Sequence, residues 1–172
     1  MTARSDSSFE ISFAGLWTLG TGSGGRSERE SLAELAGAGE HVQGVLEILV
    51  QGRPLPALGF FGPDDVCFNE SARELSHLRT AITGDGAAAT HVYNEGEQGQ
   101  PSYHFGNVGD EVTVSVRDGL GGGQADPEWD GVACRLTDAA DAIAAFLQGL
   151  ETSVVSAAGQ RGEEWIAAVL GE

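Results

Sequence analysis

Residues 111–117 read Glu-Val-Thr-Val-Ser-Val-Arg, and this heptapeptide decides the fold class. Val112, Val114 and Val116 fall on one side of an extended chain, while Glu111, Thr113, Ser115 and Arg117 fall on the other. A strand with one apolar and one polar face belongs to an antiparallel sheet that meets the core on one side and water on the other. Downstream, Asp118 to Asp130 is a loop rich in Gly and Asp, and Gly131 to Leu136 returns as another strand. Thr137 then caps a predicted helix running to about Ala158, with Ile143, Phe146, Leu147, Leu150 and Val154 forming one apolar stripe. A short last helix places Trp165, Ile166, Val169 and Leu170 on one side.

Upstream of the heptapeptide, a hairpin is expected over 89–105, with arms Ala89–Tyr93 and Ser102–Phe105 and a polar turn from Asn94 to Pro101. Asn69 is placed to cap a helix reaching about Ile82. Val45 to Val50 reads as a strand, followed by a turn at Gln51-Gly52-Arg53-Pro54. Phe9, Ile11 and Phe13 alternate with Glu10, Ser12 and Ala14 in a half-buried first strand. Ser27 with Glu30 has the spacing of a capping box and predicts a short helix over about 28–37. The sum is a flexible tail over 1–8 and one α+β domain over 9–172. That domain is expected to hold an antiparallel sheet of about five to six strands, with helices packed on one face.

The 172 residues suffice for one domain that needs no metal or disulfide to fold. Their charge is one-sided: 26 acidic against 9 basic residues, all nine arginine, for a formal −17. Missing lysine beside abundant Ala, Gly and Leu fits GC-rich coding bias, but that bias leaves the carboxylate excess unexplained. A field of this sign repels nucleic acid and anionic membranes and steers basic partners inward. Cys67 and Cys134 sit among apolar residues without a CxxC partner, and both are expected to be free, buried thiols. The N-terminus lacks an apolar signal region and no apolar run reaches spanning length, so a cytoplasmic location is expected.

Catalytic patterns such as GxSxG, HExxH, Cys–His and the P-loop are not apparent in the sequence, and no cofactor is expected. Gly20, Gly22 and Gly25 match GxGxxG between a strand and the predicted helix, as a dinucleotide loop would. The alternating strand before them and the missing second βαβ half favour a plain hairpin or loop. Asp126-Pro127-Glu128-Trp129-Asp130-Gly131 opens like a calcium-binding EF-hand, yet Thr137 stands where the bidentate Glu is needed. What remains is three carboxylates around an indole, either a contact surface for a basic partner or a core Trp with solvated acids. With a hairpin index sum of 195, His91 faces His104 as a candidate metal pair; two exposed sheet-face histidines are the plainer reading.

LEILVQGRPLP at 46–56, EVTVSVRDG at 111–119 and AAFLQGL at 144–150 together resemble pieces of the small acidic proteins that bacteria encode beside polymorphic or contact-dependent toxins. That resemblance implies an immunity protein that binds and blocks a secreted toxin domain in the cytoplasm. Its partner would be a basic protein, with neither nucleic acid nor membrane involved. Such families share no catalytic residues. The contact residues expected here are Glu111, Asp118, Asp126, Glu128, Trp129 and Asp130, with Glu95 and Glu97 at the hairpin tip. The alternative is a small ligand-, nucleotide- or metal-binding domain, or an enzyme, using the Gly20–Gly25 loop or the His91/His104 pair. A nucleic-acid mimic ranks last, because the acidic residues are scattered along the chain instead of spaced along one ridge.

Overall fold

Two antiparallel sheets share one apolar core in the computed structural model, which describes residues 7–21, 27–59, 62–84, 90–94, 100–119 and 123–171. The first sheet contains β1 (Phe9–Thr21), β2 (Ser27–Glu30), β3 (Val42–Val50), β4 (Arg53–Pro54) and β5 (Val66–Cys67). Its order is β2-β1-β3-β4, with β5 also paired to β3. The second sheet runs in order through β6 (Thr90–Tyr93), β7 (Ser102–Val108), β8 (Glu111–Arg117) and β9 (Val132–Arg135). Among the described residues, three helices complete the α+β fold: α1 (Phe68–Thr83), α2 (Leu136–Ala158) and α3 (Gln160–Leu170). The expected single sheet is therefore divided in two, with more strands than the patterning revealed.

The alternation of β1 sets its register against β3: Phe9, Ile11 and Phe13 oppose Val50, Ile48 and Leu46 on the core side. One extra residue between Ala14 and Trp17 forms a β-bulge, where Gly15 takes φ 60° without a Cβ to strain it. The bulge re-aims the strand, so that Trp17 opposes Gln43 on the outer face while Thr18 opposes Val42 on the inner one. Phe13, Phe68 and Phe146 then bring β1, α1 and α2 together, with ring centroids 5.7 to 6.1 Å apart. Edge-to-face and offset contacts at such spacing add to the area they bury.

Several local expectations yield to tertiary contacts. The predicted helix at 28–37 is replaced by β2, paired with Thr18–Thr21 of β1, and a single 3-10 turn at Leu32–Glu34. A capping box is only a local preference, and ladder hydrogen bonds to β1 outweigh it here. Asn69 lies one residue inside α1, whose cap position holds Cys67, and Thr137 likewise lies inside α2 behind Arg135. Ser8, assigned to the tail, is pinned: its N–H and hydroxyl donate to Asp138 Oδ2 at 2.6 and 2.7 Å. Burial opposes the Asp138 charge, but the Ser8 hydrogen bonds and Arg135 prevail and hold its carboxyl below the usual range.

The α2–α3 junction is tight because Gly162 permits it; a Cβ there would sit 2.7 Å from Val154 O. Trp165 is fully buried beyond this turn and donates its indole N–H to Glu40 O at 2.9 Å. On the second sheet, Tyr93, Tyr103, Phe105, Val112, Val114 and Val116 are all buried. Tyr93 donates to Ser71 Oγ of α1 at 2.9 Å and Asn107 donates to Ile82 O at 3.0 Å, so α1 covers that inner face. Among the described residues no helix is long and apolar enough to cross a membrane.

Candidate functional site

The carboxylate loop is built on the end of β8. Arg117 bridges to Ala125, and Asp126 N–H donates to Val116 O at 2.9 Å, which folds the chain back alongside the strand. Asp126 then starts a 3-10 turn at Pro127–Trp129, its side chain accepting from Glu128 N–H at 2.9 Å. Pro127 suits this first position because its missing N–H is not needed there. Gly131 N–H donates to Ser115 Oγ at 2.9 Å, and that hydroxyl donates in turn to Asp130 Oδ1 at 3.4 Å.

Trp129 turns inward from this loop and is only 5% exposed. Its ring is part of the core, the plainer of the two readings that the sequence left open. Arg53, from the short strand β4, lies over the indole at 4.5 Å. The same guanidinium donates to Glu128 O at 3.1 Å and comes within 3.9 Å of the Glu128 carboxylate. Desolvation of the ring is thereby completed by a cation over its negative face.

Four of the expected carboxylates gather at this end of the second sheet. Asp118, Glu128 and Asp130 are exposed, and Asp126 is half-buried as the cap. Asp118 N–H donates to Gln124 O at 3.1 Å, which holds its backbone beside the returning chain. Glu111 is exposed too, but it opens β8 at the far end, roughly 20 Å away at 3.4 Å per residue. Glu95 and Glu97 lie outside the described residues.

Between these acids lies the outer face of the second sheet. Val92, His104 and Ser115 form one cross-strand row, and Thr90, Gly106, Thr113 and Ala133 form the next. The residues are small or slender, and Val92 and Val108 are exposed at 39% and 68%. Arg117 sits at the carboxylate end of the face, half-buried. Burial, with a smaller contribution from Arg117, pushes the His104 imidazole below its ordinary value and so favours its neutral form.

The histidine pair does not form. Thr90 opposes Gly106 and Val92 opposes His104, a register one residue away from the expected one. His91 consequently shares the inner face with Phe105 and meets Glu74 Oε2 of α1 at 3.1 Å, while His104 lies on the outer face beside Ser102 Oγ at 3.0 Å. A one-residue slip moves a side chain through the sheet. The glycine fingerprint also loses its context: Gly20 and Thr21 pair antiparallel with Glu28 and Ser27, where a dinucleotide loop needs a helix. Gly22 to Gly25 lie outside the described residues.

On the outer face of the first sheet a cluster forms that had no sequence signal. Arg29 lies over the Trp17 ring at 4.4 Å and pairs with Asp64 at 2.8 Å, while Trp17 Nε1 donates to Asp64 O at 3.3 Å. These residues are far apart in the chain and meet only through the bulge of β1 and the β2 pairing. Comparison with protein families, curated proteins and solved structures finds no match.

Proposed function

We propose that the chain is an acidic immunity-type inhibitor that binds a cognate toxin domain in the bacterial cytoplasm and neutralises it by occupying a basic surface. One observation carries this reading: if every arginine were paired with a carboxylate, 17 carboxylates would still be left over. Arg29, Arg53, Arg73 and Arg135 are already held by acids of their own chain. Such a surface repels itself, and a cationic partner relieves that repulsion while gaining from steered association.

The contact surface in this reading is the open face of β6–β9 with its rim of Asp118, Glu128, Asp130 and Glu111. Its small residues allow close approach, the exposed Val92 and Val108 supply apolar area, and the rim supplies charge. Trp129 acts from beneath, by fixing the loop that carries Glu128 and Asp130.

Co-expression with the toxin domain encoded in the neighbouring reading frame tests the proposal. The intact chain should restore growth and co-purify with that domain. The Glu128→Gln, Asp130→Asn double variant should weaken the complex by about tenfold or more while keeping its own fold. A neighbouring domain that stays toxic and unbound would contradict the proposal.

A further inference from the structure

A different chemistry stands at the junction of β5 and α1. Cys67 ends the strand and occupies the cap position of the 16-residue helix, and its Sγ lies 3.6 Å from His41 Nδ1. The thiol is half-buried and the imidazole is exposed. Cys67 also opposes Gln43 in the ladder, so its side chain shares the outer face of the first sheet with Gln43 and Trp17.

The backbone around His41 is held beside this sulfur from three elements. Asn69, two residues beyond Cys67, donates from Nδ2 to Glu40 O at 2.9 Å and accepts from Val42 N–H at 3.0 Å. A single amide therefore grips the chain on both sides of His41. Thr18 Oγ1 donates to His41 O at 3.1 Å, and Trp165 Nε1 donates to Glu40 O, both from fully buried residues. The Cys67 Sγ lies a further 3.8 Å from Asn69 Oδ1. Holding a histidine in place beside a thiol is the arrangement that lets an imidazole take the thiol proton.

The electrostatic surroundings have two signs. The positive end of the α1 dipole favours a thiolate at Cys67, although its side chain makes no cap hydrogen bond there. Glu40 opposes it, although its carboxylate is engaged by Ala36 N–H and the Thr18 hydroxyl. Glu70 in the first turn of α1 is paired with Arg73 at 3.1 Å, and Asp65 lies two residues before Cys67 in the chain. The second cysteine provides an internal contrast. Cys134 is 2% exposed, donates to Val112 O at 3.4 Å, and is pushed up to about 12 by burial, with Asp138 and Glu111 adding to the shift.

We propose that Cys67 is a reactive thiol, with His41 as its base, that forms a mixed disulfide with small disulfides. The Cys67 proton passes to His41 Nδ1, and the thiolate attacks one sulfur of the incoming disulfide. A new S–S bond forms as the old one breaks; the departing thiolate takes the proton from His41. Cys67 is oxidised to the mixed disulfide while the other half of the reagent is reduced to a thiol. This site is separate from the acidic face and stands whether or not that face binds a toxin.

A dipyridyl disulfide, whose released thiopyridone is coloured, tests the proposal on the full chain, with peptide mass analysis locating the label. One equivalent should react rapidly near pH 7 and all of it should map to Cys67. His41→Gln, a change at an exposed side chain, should slow the reaction by about tenfold near pH 7. The gap should close at about pH 10, where the thiolate forms without a base. Asn69→Ala should fall between the two, and circular dichroism checks that each variant is folded. A wild-type rate for His41→Gln near pH 7, a gap that persists at high pH, or label appearing first on Cys134 would overturn the proposal.

Discussion

Two tryptophans in this molecule each lie beneath an arginine, and the difference between them shows how the chain uses its scarce positive charge. Trp17 is half-buried on the outer face of the first sheet, with Arg29 above it at 4.4 Å and Asp64 alongside. Trp129 is buried at the end of the second sheet, with Arg53 above it at 4.5 Å and Glu128 alongside. In both places the guanidinium covers an indole and meets a carboxylate of its own chain. In the first the stack finishes a surface; in the second it seals the core under the carboxylate loop. Arginines committed to such tasks do little to neutralise the remaining acids, which is why the surface excess matters.

The largest effect that would sharpen this comparison is Trp129→Ala. Removing a buried indole should cost about 4 kcal/mol in urea unfolding and should loosen the loop that carries Glu128 and Asp130. Trp17→Ala should cost less, about 1 to 2 kcal/mol, because part of that ring already faces water. Equal losses at the two sites would break the distinction. Between the arginines, Arg53→Ala should lower stability by about 1 kcal/mol through the lost ring contact and the hydrogen bond to Glu128 O. Arg29→Ala should shift the urea midpoint less, since its pair is exposed on both sides and screened by salt.

The smallest effect is in the acid limb. The hydrogen bond and charge of Arg29 hold the Asp64 carboxyl below its ordinary 3.8. A carboxyl lowered by folding stabilises the native state above its unfolded value, and that contribution disappears as pH falls through the folded one. Arg29→Ala should therefore make the loss of stability below about pH 4 slightly shallower, as followed by urea midpoints across a pH series. A steeper limb in the variant would reverse the assigned sign.

Much of the secondary structure was legible because local pattern and final environment agree. The valines of β8 and the Ile143–Val154 stripe of α2 bury the faces that their spacing marks. The division into two sheets was not legible, since it depends on contacts such as Gln51 Nε2 to Ala133 O at 2.9 Å, across 82 positions of chain. The polar turn between β6 and β7 does not fix register by its composition, so the ladder placed His91 and His104 on opposite faces. In the carboxylate loop, sequence located the acids correctly but could not choose between a core and a contact role for Trp129. The Arg53 that decides it comes from another sheet. Cys67 and His41 were equally hidden, because the Asn69 clamp that joins them looks in sequence like an ordinary helix cap.

In the proposed function, the surplus of carboxylates is there to meet a basic protein. Calorimetric titration of the purified chain with the protein encoded in the neighbouring reading frame, at low and at high salt, is the decisive test of this reading. A stoichiometric complex whose affinity falls as salt rises, and falls again with Glu128→Gln and Asp130→Asn, is the predicted result. Absence of binding at low salt, or an affinity indifferent to salt and to both substitutions, would contradict it.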